Sequence, residues 1–144
     1  MLLKPRFDGY RDKIRDSFAR QTLMGTFGAR LDGIEPGQVT ISAPIIDSTK
    51  QQHGFAHAAV SFGIGDSAAG YSALTLLDET DEVLTVEMKI NLLAPARGDR
   101  LRAVGRVIKS GRRLIVVAAD VWADTGSDST HVAMLQGTMI PVPA

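Results

Sequence analysis

Residues 54–77, GFAHAAVSFGIGDSAAGYSALTLL, constrain the fold more than any other part of the chain. The stretch is apolar nearly all round and carries a single charge, Asp66. A helix that is apolar on every side must be buried. Gly63, Gly65 and Gly70 lie within it. Each costs about 1 kcal/mol against alanine in a helix interior, so the spacing predicts that a sheet or second helix approaches closely there. The rest of the chain must supply the cover.

Most of that cover reads as strands. Gln38 to Ile45 alternates, with Val39, Ile41, Ala43 and Ile45 on one face. Leu31 to Gly37 reads as a short strand and turn. After an acidic loop, Val83 to Leu93 places Leu84, Val86, Met88, Ile90 and Leu92 on one face. Strands follow over Asp99–Lys109, Arg113–Asp124 and His131–Ile140, with Ser110-Gly111 as a hairpin turn. These last four are expected to join as antiparallel hairpins. Ahead of everything, residues 6–24 read as one helix, with Phe7, Tyr10, Ile14, Phe18 and Leu23 near a 3.6 spacing. The layout is α+β: an antiparallel sheet wrapped around one long buried helix, which is the hotdog fold. We expect one domain over residues 1–144 with an N-terminal helical extension over about 1–26. Open sheet edges invite a second subunit to pair.

Composition removes several function classes. There is no cysteine, hence no disulfide, no thiolate zinc site and no thiol nucleophile. Sixteen basic residues balance sixteen acidic ones, which argues against general nucleic-acid binding. Three histidines without ligand spacing predict no metal. No stretch has the length of a membrane span, and the N-terminus has no apolar signal core, so a cytoplasmic protein is expected.

The residues that could do chemistry cluster at the start of the buried helix. The segment Gln51-Gln52-His53-Gly54-Phe55-Ala56-His57-Ala58-Ala59, followed by Asp66, resembles the acyl-CoA thioesterases of the phenylacetate-pathway (PaaI-type) branch of the hotdog superfamily. That family carries an amide residue, a His-Gly-Gly six residues on, and an acidic residue nine after the histidine. Gln51, His57 and Asp66 take those positions here, and Ala58-Ala59 replaces the two glycines. Alanine keeps the backbone N–H that the family uses on the thioester carbonyl. The resemblance spans about residues 40–140 and implies roles residue by residue. Asp66 would be base or nucleophile, Gln51 would position water or carbonyl, and Thr85 would assist the water. His57, Gln52, His53 and Gly54 would shape the loop, with Phe55 and Phe62 near the acyl group. Coenzyme A would enter only as part of the substrate, with no further cofactor.

Elementary chemistry points the same way. A helix start offers free N–H groups at the positive end of its dipole, and thioester hydrolysis needs such a donor together with a base or nucleophile. Eight residues of helix between Ala58 and Asp66 span about 12 Å, more than a carboxylate side chain can close. If both act on one substrate, they come from two subunits. This predicts a homodimer with shared sites, and the family resemblance implies further pairing into a homotetramer.

Seven basic residues, Arg97, Arg100, Arg102, Arg106, Lys109, Arg112 and Arg113, surround one acid, Asp99. Most read as the wet face of a strand, while Arg97 and Arg112 are candidates for the coenzyme A phosphates. His131 and Trp122 read as surface and as core or interface, respectively. Two other readings compete: a hydroxyacyl dehydratase on the same fold, using His53 with Asp66, and a non-catalytic acyl-CoA-binding module. The dehydratase's His-Phe-Pro-Gly segment is absent.

Overall fold

The computed structural model describes residues 2–144. The N-terminal region forms two helices rather than one: α1 (Tyr10–Arg20) and α2 (Thr22–Phe27). The break is at Gln21, whose extended backbone (ψ 95°) ends the first helix. Its side chain turns instead to the hydroxyl of Tyr71, so a tertiary contact overrides the apolar periodicity that continues through the break. Gly28, in the left-handed conformation (φ 67°), ends α2.

Strands β1 (Arg30–Glu35) and β2 (Gln38–Pro44) make the first hairpin. A loop containing the 3₁₀ turn Asp47–Thr49 leads to α3 (Ala58–Leu74), and then come β3 (Asp81–Leu92), β4 (Arg100–Ser110), β5 (Ile115–Thr125) and β6 (Asp128–Pro143). All six strands form one antiparallel sheet in the order β1-β2-β4-β5-β6-β3. The sheet curls around α3, the hotdog arrangement. The last four strands do not all join by hairpins. β3 crosses over to pair only with β6 and becomes a free edge of the sheet.

Helix α3 starts four residues later than the apolar run, because Gly54 holds a positive φ of 85° and the segment before Ala58 is a loop. Ile64, Ala68, Ala69, Ala73 and Leu74 are buried against Val39, Ile41, Leu101, Ala103, Val117 and Leu135. The close approach expected of α3 is present, but the decisive glycine is in the sheet. A Cβ on Gly105 of β4 would lie 2.2 Å from the carbonyl carbon of Ala68. On the helix, Gly63 and Gly65 would meet only the side chains of Phe27 and Leu135, and Gly70 has room for a Cβ.

The reading of β3 needs one correction. A bulge between Thr85 and Glu87 switches its faces partway along. Met88 and Ile90 pack on the core, but Leu84 and Val86 do not share their face and are more than half exposed. Before the bulge, Val83 and Thr85 turn toward α3. Gly137 of β6 accommodates the bulge, since a Cβ there would sit 2.4 Å from the carbonyl oxygen of Glu87. No helix among the described residues is long and apolar enough to cross a membrane.

Candidate active site

The loop before α3 is built by its own polar groups. The Gln51 side-chain carbonyl accepts the backbone N–H of His53 and, at 3.4 Å, that of Phe55. Backbone bonds between Gln51 and Phe55 (2.8 Å) and from Gly54 to Gln51 (3.0 Å) close the turn. With its oxygen held by two amides, Gln51 has its Nε2 hydrogens left to donate. Gln52 and His53 are exposed.

His57 is the N-cap of α3, and its Nδ1 accepts the N–H of Ala59 at 2.9 Å. The Val60 N–H turns back to the His57 carbonyl at 2.9 Å, and the His57 N–H goes to the Thr49 carbonyl at 2.9 Å. The N–H of Ala58, the first residue of the helix, has no partner among the described residues. Of the two alanines, therefore, the second already has its N–H occupied. Gln51, Phe55, Ala58 and Ser61 line a cleft of about 580 Å³ together with residues 92–96. The Arg97 guanidinium lies 4.8 Å over the Phe55 ring at its rim.

Asp66 is elsewhere. It lines a second cleft of about 270 Å³ with Thr85, Tyr71 and Gln21. The Thr85 hydroxyl donates to Asp66 Oδ1 at 2.8 Å. Burial pushes the Asp66 carboxyl above its ordinary pKa, and the Thr85 hydrogen bond pulls part of the way back. The two clefts share no lining residue, so one chain keeps Gln51 and Ala58 apart from Asp66 and Thr85.

Other candidates are placed as follows. Phe62 stands on the exposed stripe of α3 with Ala59 and lines neither cleft. Arg112 sits in the β4–β5 turn, separated from Arg97 by the whole length of β4, about 34 Å at strand rise. It too lines neither cleft. On the outer face, three of the seven basic residues are paired with carboxylates. Arg100 and Arg102 bond Asp124, and Arg106 bonds Asp120 at 2.6 Å. The Arg102 hydrogen bond leads in lowering the Asp124 pKa to about 2. Trp122 is not in the core; it stacks on His131 at 4.5 Å on that same outer face, where His131 also reaches Asp120. Among the described residues, no group of three or more acids and histidines could hold a metal.

The sequence reading missed the polar residues around the Asp66 cleft. Tyr71, Ser67, Gln21 and Ser17 are linked there by hydrogen bonds. Ser67 and Tyr71 are four apart on α3, and Ser67 follows Asp66 directly, so polar residues within an apolar helix were the available signal.

Comparison with known proteins agrees with this architecture. The family model of the thioesterase superfamily matches residues 53–130, that is 78 of the 144 residues. A thioesterase family protein from Silicibacter pomeroyi is 42% identical, superposes with a TM-score of 0.92, and aligns over 94% of this chain and 100% of its own. An esterase candidate from Saccharolobus solfataricus is 27% identical over 128 residues, 89% of this chain and 83% of that one. The E. coli PaaI protein of the phenylacetic acid degradation operon shares the fold, with a TM-score of 0.83 over 94% of each chain at 15% identity. On the extent of the family match and the Silicibacter alignment, this chain belongs to the thioesterase superfamily.

Proposed function

We propose that the protein is an acyl-CoA thioesterase of the PaaI-type branch whose sites are shared between two copies of the chain. The observation that carries the reading is the free Ala58 amide beside Gln51 in one cleft, matched by a carboxylate of raised pKa in the other. One copy contributes the amide and the other contributes Asp66. Exposed apolar residues on the β3 edge and on α3, including Leu84, Val86 and Phe62, provide a surface for the second copy.

In this mechanism the thioester carbonyl oxygen accepts the Ala58 N–H at the positive end of α3. Gln51 Nε2 holds the same oxygen or the attacking water. Ionised Asp66, oriented by Thr85, takes a proton from water as the water adds to the carbonyl carbon, or adds to that carbon itself to give an anhydride that water then opens. The C–S bond breaks, coenzyme A leaves as thiolate and is protonated, and a free acid remains. His57 contributes by fixing the helix start. Arg97, stacked over Phe55, would meet an anionic part of the substrate.

The test is hydrolysis of a panel of aromatic and medium-chain acyl-CoAs, followed with a thiol reagent against a protein that has no cysteine. Wild type cleaves at least one class, and Asp66→Asn loses about 100-fold or more, the size of an acid–base contribution. A wild type silent on every thioester would overturn the reading.

A further inference from the structure

Ser61, Ser72 and Thr75 are buried hydroxyl residues on α3 and its C-cap. Two of them are used by the fold. Ser72 donates to the Ala69 carbonyl and Thr75 to the Ser72 carbonyl, each at 2.6 Å. Thr75 also accepts the Gly37 N–H at 2.7 Å. Turning back to a carbonyl one turn earlier is the usual way for a helical serine to satisfy its hydroxyl. Ser61 does not do this. It is 2% exposed, yet its hydroxyl has no hydrogen-bond partner among the described residues. A buried hydroxyl left without a partner costs free energy. The oxygen is not sealed in: the little surface that Ser61 keeps opens on the cleft that holds Gln51 and Ala58.

Much of that cleft is apolar, with Phe55, Leu92, Leu93 and Val132 in its lining. The N–H groups of Ala56 and Leu93 are used on backbone carbonyls. The donors that remain include Gln51 Nε2, the Ala58 N–H and the Ser61 hydroxyl. Ala58 and Ser61 are three residues apart on α3 and so share a face. The helix rises about 4.5 Å between them. Helical side chains lean toward the N-terminus, which carries the Ser61 hydroxyl back toward the open first turn. Two donors that each lie 2.7–3.1 Å from one oxygen stand at most about 6 Å apart, and this spacing meets that limit.

We propose that the Ser61 hydroxyl is a second catalytic donor, which closes with the Ala58 amide on the thioester carbonyl oxygen and leaves Gln51 Nε2 for the attacking water. This rests on the thioesterase reading and assigns a further residue to the same site. The oxygen becomes an oxyanion as water adds, and a hydroxyl already aimed at it needs no reorganisation to follow the charge. The hydroxyl gives no covalent intermediate. A serine nucleophile needs a base within hydrogen-bond reach. None bonds Ser61 among the described residues, and His57 in the same cleft uses Nδ1 on the Ala59 N–H.

The experiment pairs Ser61→Ala with wild type in three measurements. Alanine is the better helix former, and the fold loses no hydrogen bond, so the melting temperature should not fall. On the best acyl-CoA of the panel, kcat falls at least about tenfold, with the roughly 100- to 1,000-fold of a full oxyanion donor as the upper range, while KM changes little. The third measurement uses an inert ketone analogue of that substrate, with a methylene in place of the sulfur and ¹³C at the carbonyl. Its bound C=O stretch should rise in Ser61→Ala, because the oxygen has lost a donor. A hydroxyl that serves the water or the sulfur would leave the stretch unchanged and overturn the assignment. A lowered melting temperature, a kcat loss below tenfold, or a loss confined to KM would also overturn it, and in each case the thioesterase reading stands. A wild type silent on every thioester would overturn both.

Discussion

Replacing Ala58 by proline removes one donor from the site with little else disturbed. Ala58 is the first residue of α3, and its N–H has no partner in the fold. Proline is favoured at this position, because the missing N–H is one the helix does not use. The residue before a proline must be extended, and His57 already is, at φ −64° and ψ 143°. The helix, its cap and its hydrogen bonds should therefore survive. With about 0.3 kcal/mol per degree of unfolding entropy for a chain of this length, a cost below 1 kcal/mol keeps Tm within about 3 °C of wild type. Catalysis should not survive as well. Deleting one oxyanion donor costs roughly 100- to 1,000-fold, about 2.7–4 kcal/mol. The loss should fall mainly on kcat, since the bond strengthens as charge develops on the oxygen. Thermal melting and steady-state release of free coenzyme A measure the two quantities. An Ala58→Pro protein that melts like wild type and turns over within threefold of it would refute the assignment of this amide.

Three other perturbations follow from the geometry. Thr85→Val deletes the hydrogen bond that favours ionised Asp66 and leaves desolvation unopposed, so the acid limb of the pH–kcat/KM profile should move to higher pH; an unmoved limb would disconnect Thr85 from Asp66. Gly105→Ala forces a Cβ that would lie 2.2 Å from the Ala68 backbone, so α3 must retreat by about 1.2 Å to reach ordinary contact. Overpacking of this kind costs about 1–3 kcal/mol, which lowers Tm by roughly 3–10 °C, and an unchanged Tm would show that α3 is free to shift. Asp124, with its pKa lowered to about 2, contributes stability that is fully present above the ordinary carboxylate pKa of about 3.9 and lost as pH falls toward 2. Denaturant titrations should show Asp124→Asn losing less stability than wild type between pH 5 and pH 2; parallel losses would deny the linkage.

Burial of α3 was legible because its residues leave no polar face, β2 was legible from alternation of period two, and β4, β5 and β6 were legible as strand runs separated by turn residues. What the sequence hid were features decided by tertiary contact. The break at Gln21 lies in a stretch whose apolar spacing continues unbroken, and only the Tyr71 hydroxyl explains it. The β3 bulge swaps the faces of a strand whose alternation looks regular, and it brings Thr85 onto Asp66. Which strand neighbours which is set by the crossover that puts β3 beside β6, and no local pattern encodes that. Gly105 is one glycine in an ordinary strand, and its importance depends on a helix some 35 residues earlier in the chain. At the site, the spacing of Gln51, His57 and Asp66 named the loop and the carboxylate. Spacing could not show that the His57 ring would occupy the Ala59 amide and leave that of Ala58 free.

If one copy supplies the amide and another the carboxylate, a purified mixed dimer regains activity that neither parent has. Two differently tagged chains, one carrying Ala58→Pro and the other Asp66→Asn, are co-expressed and the doubly tagged species is isolated. Each parent alone should be nearly inactive. In the mixed dimer one of two sites pairs an intact Ala58 amide with an intact Asp66, so about half of the wild-type kcat should return. A mixed dimer as inactive as its parents would contradict the shared site and require both groups to act from a single chain.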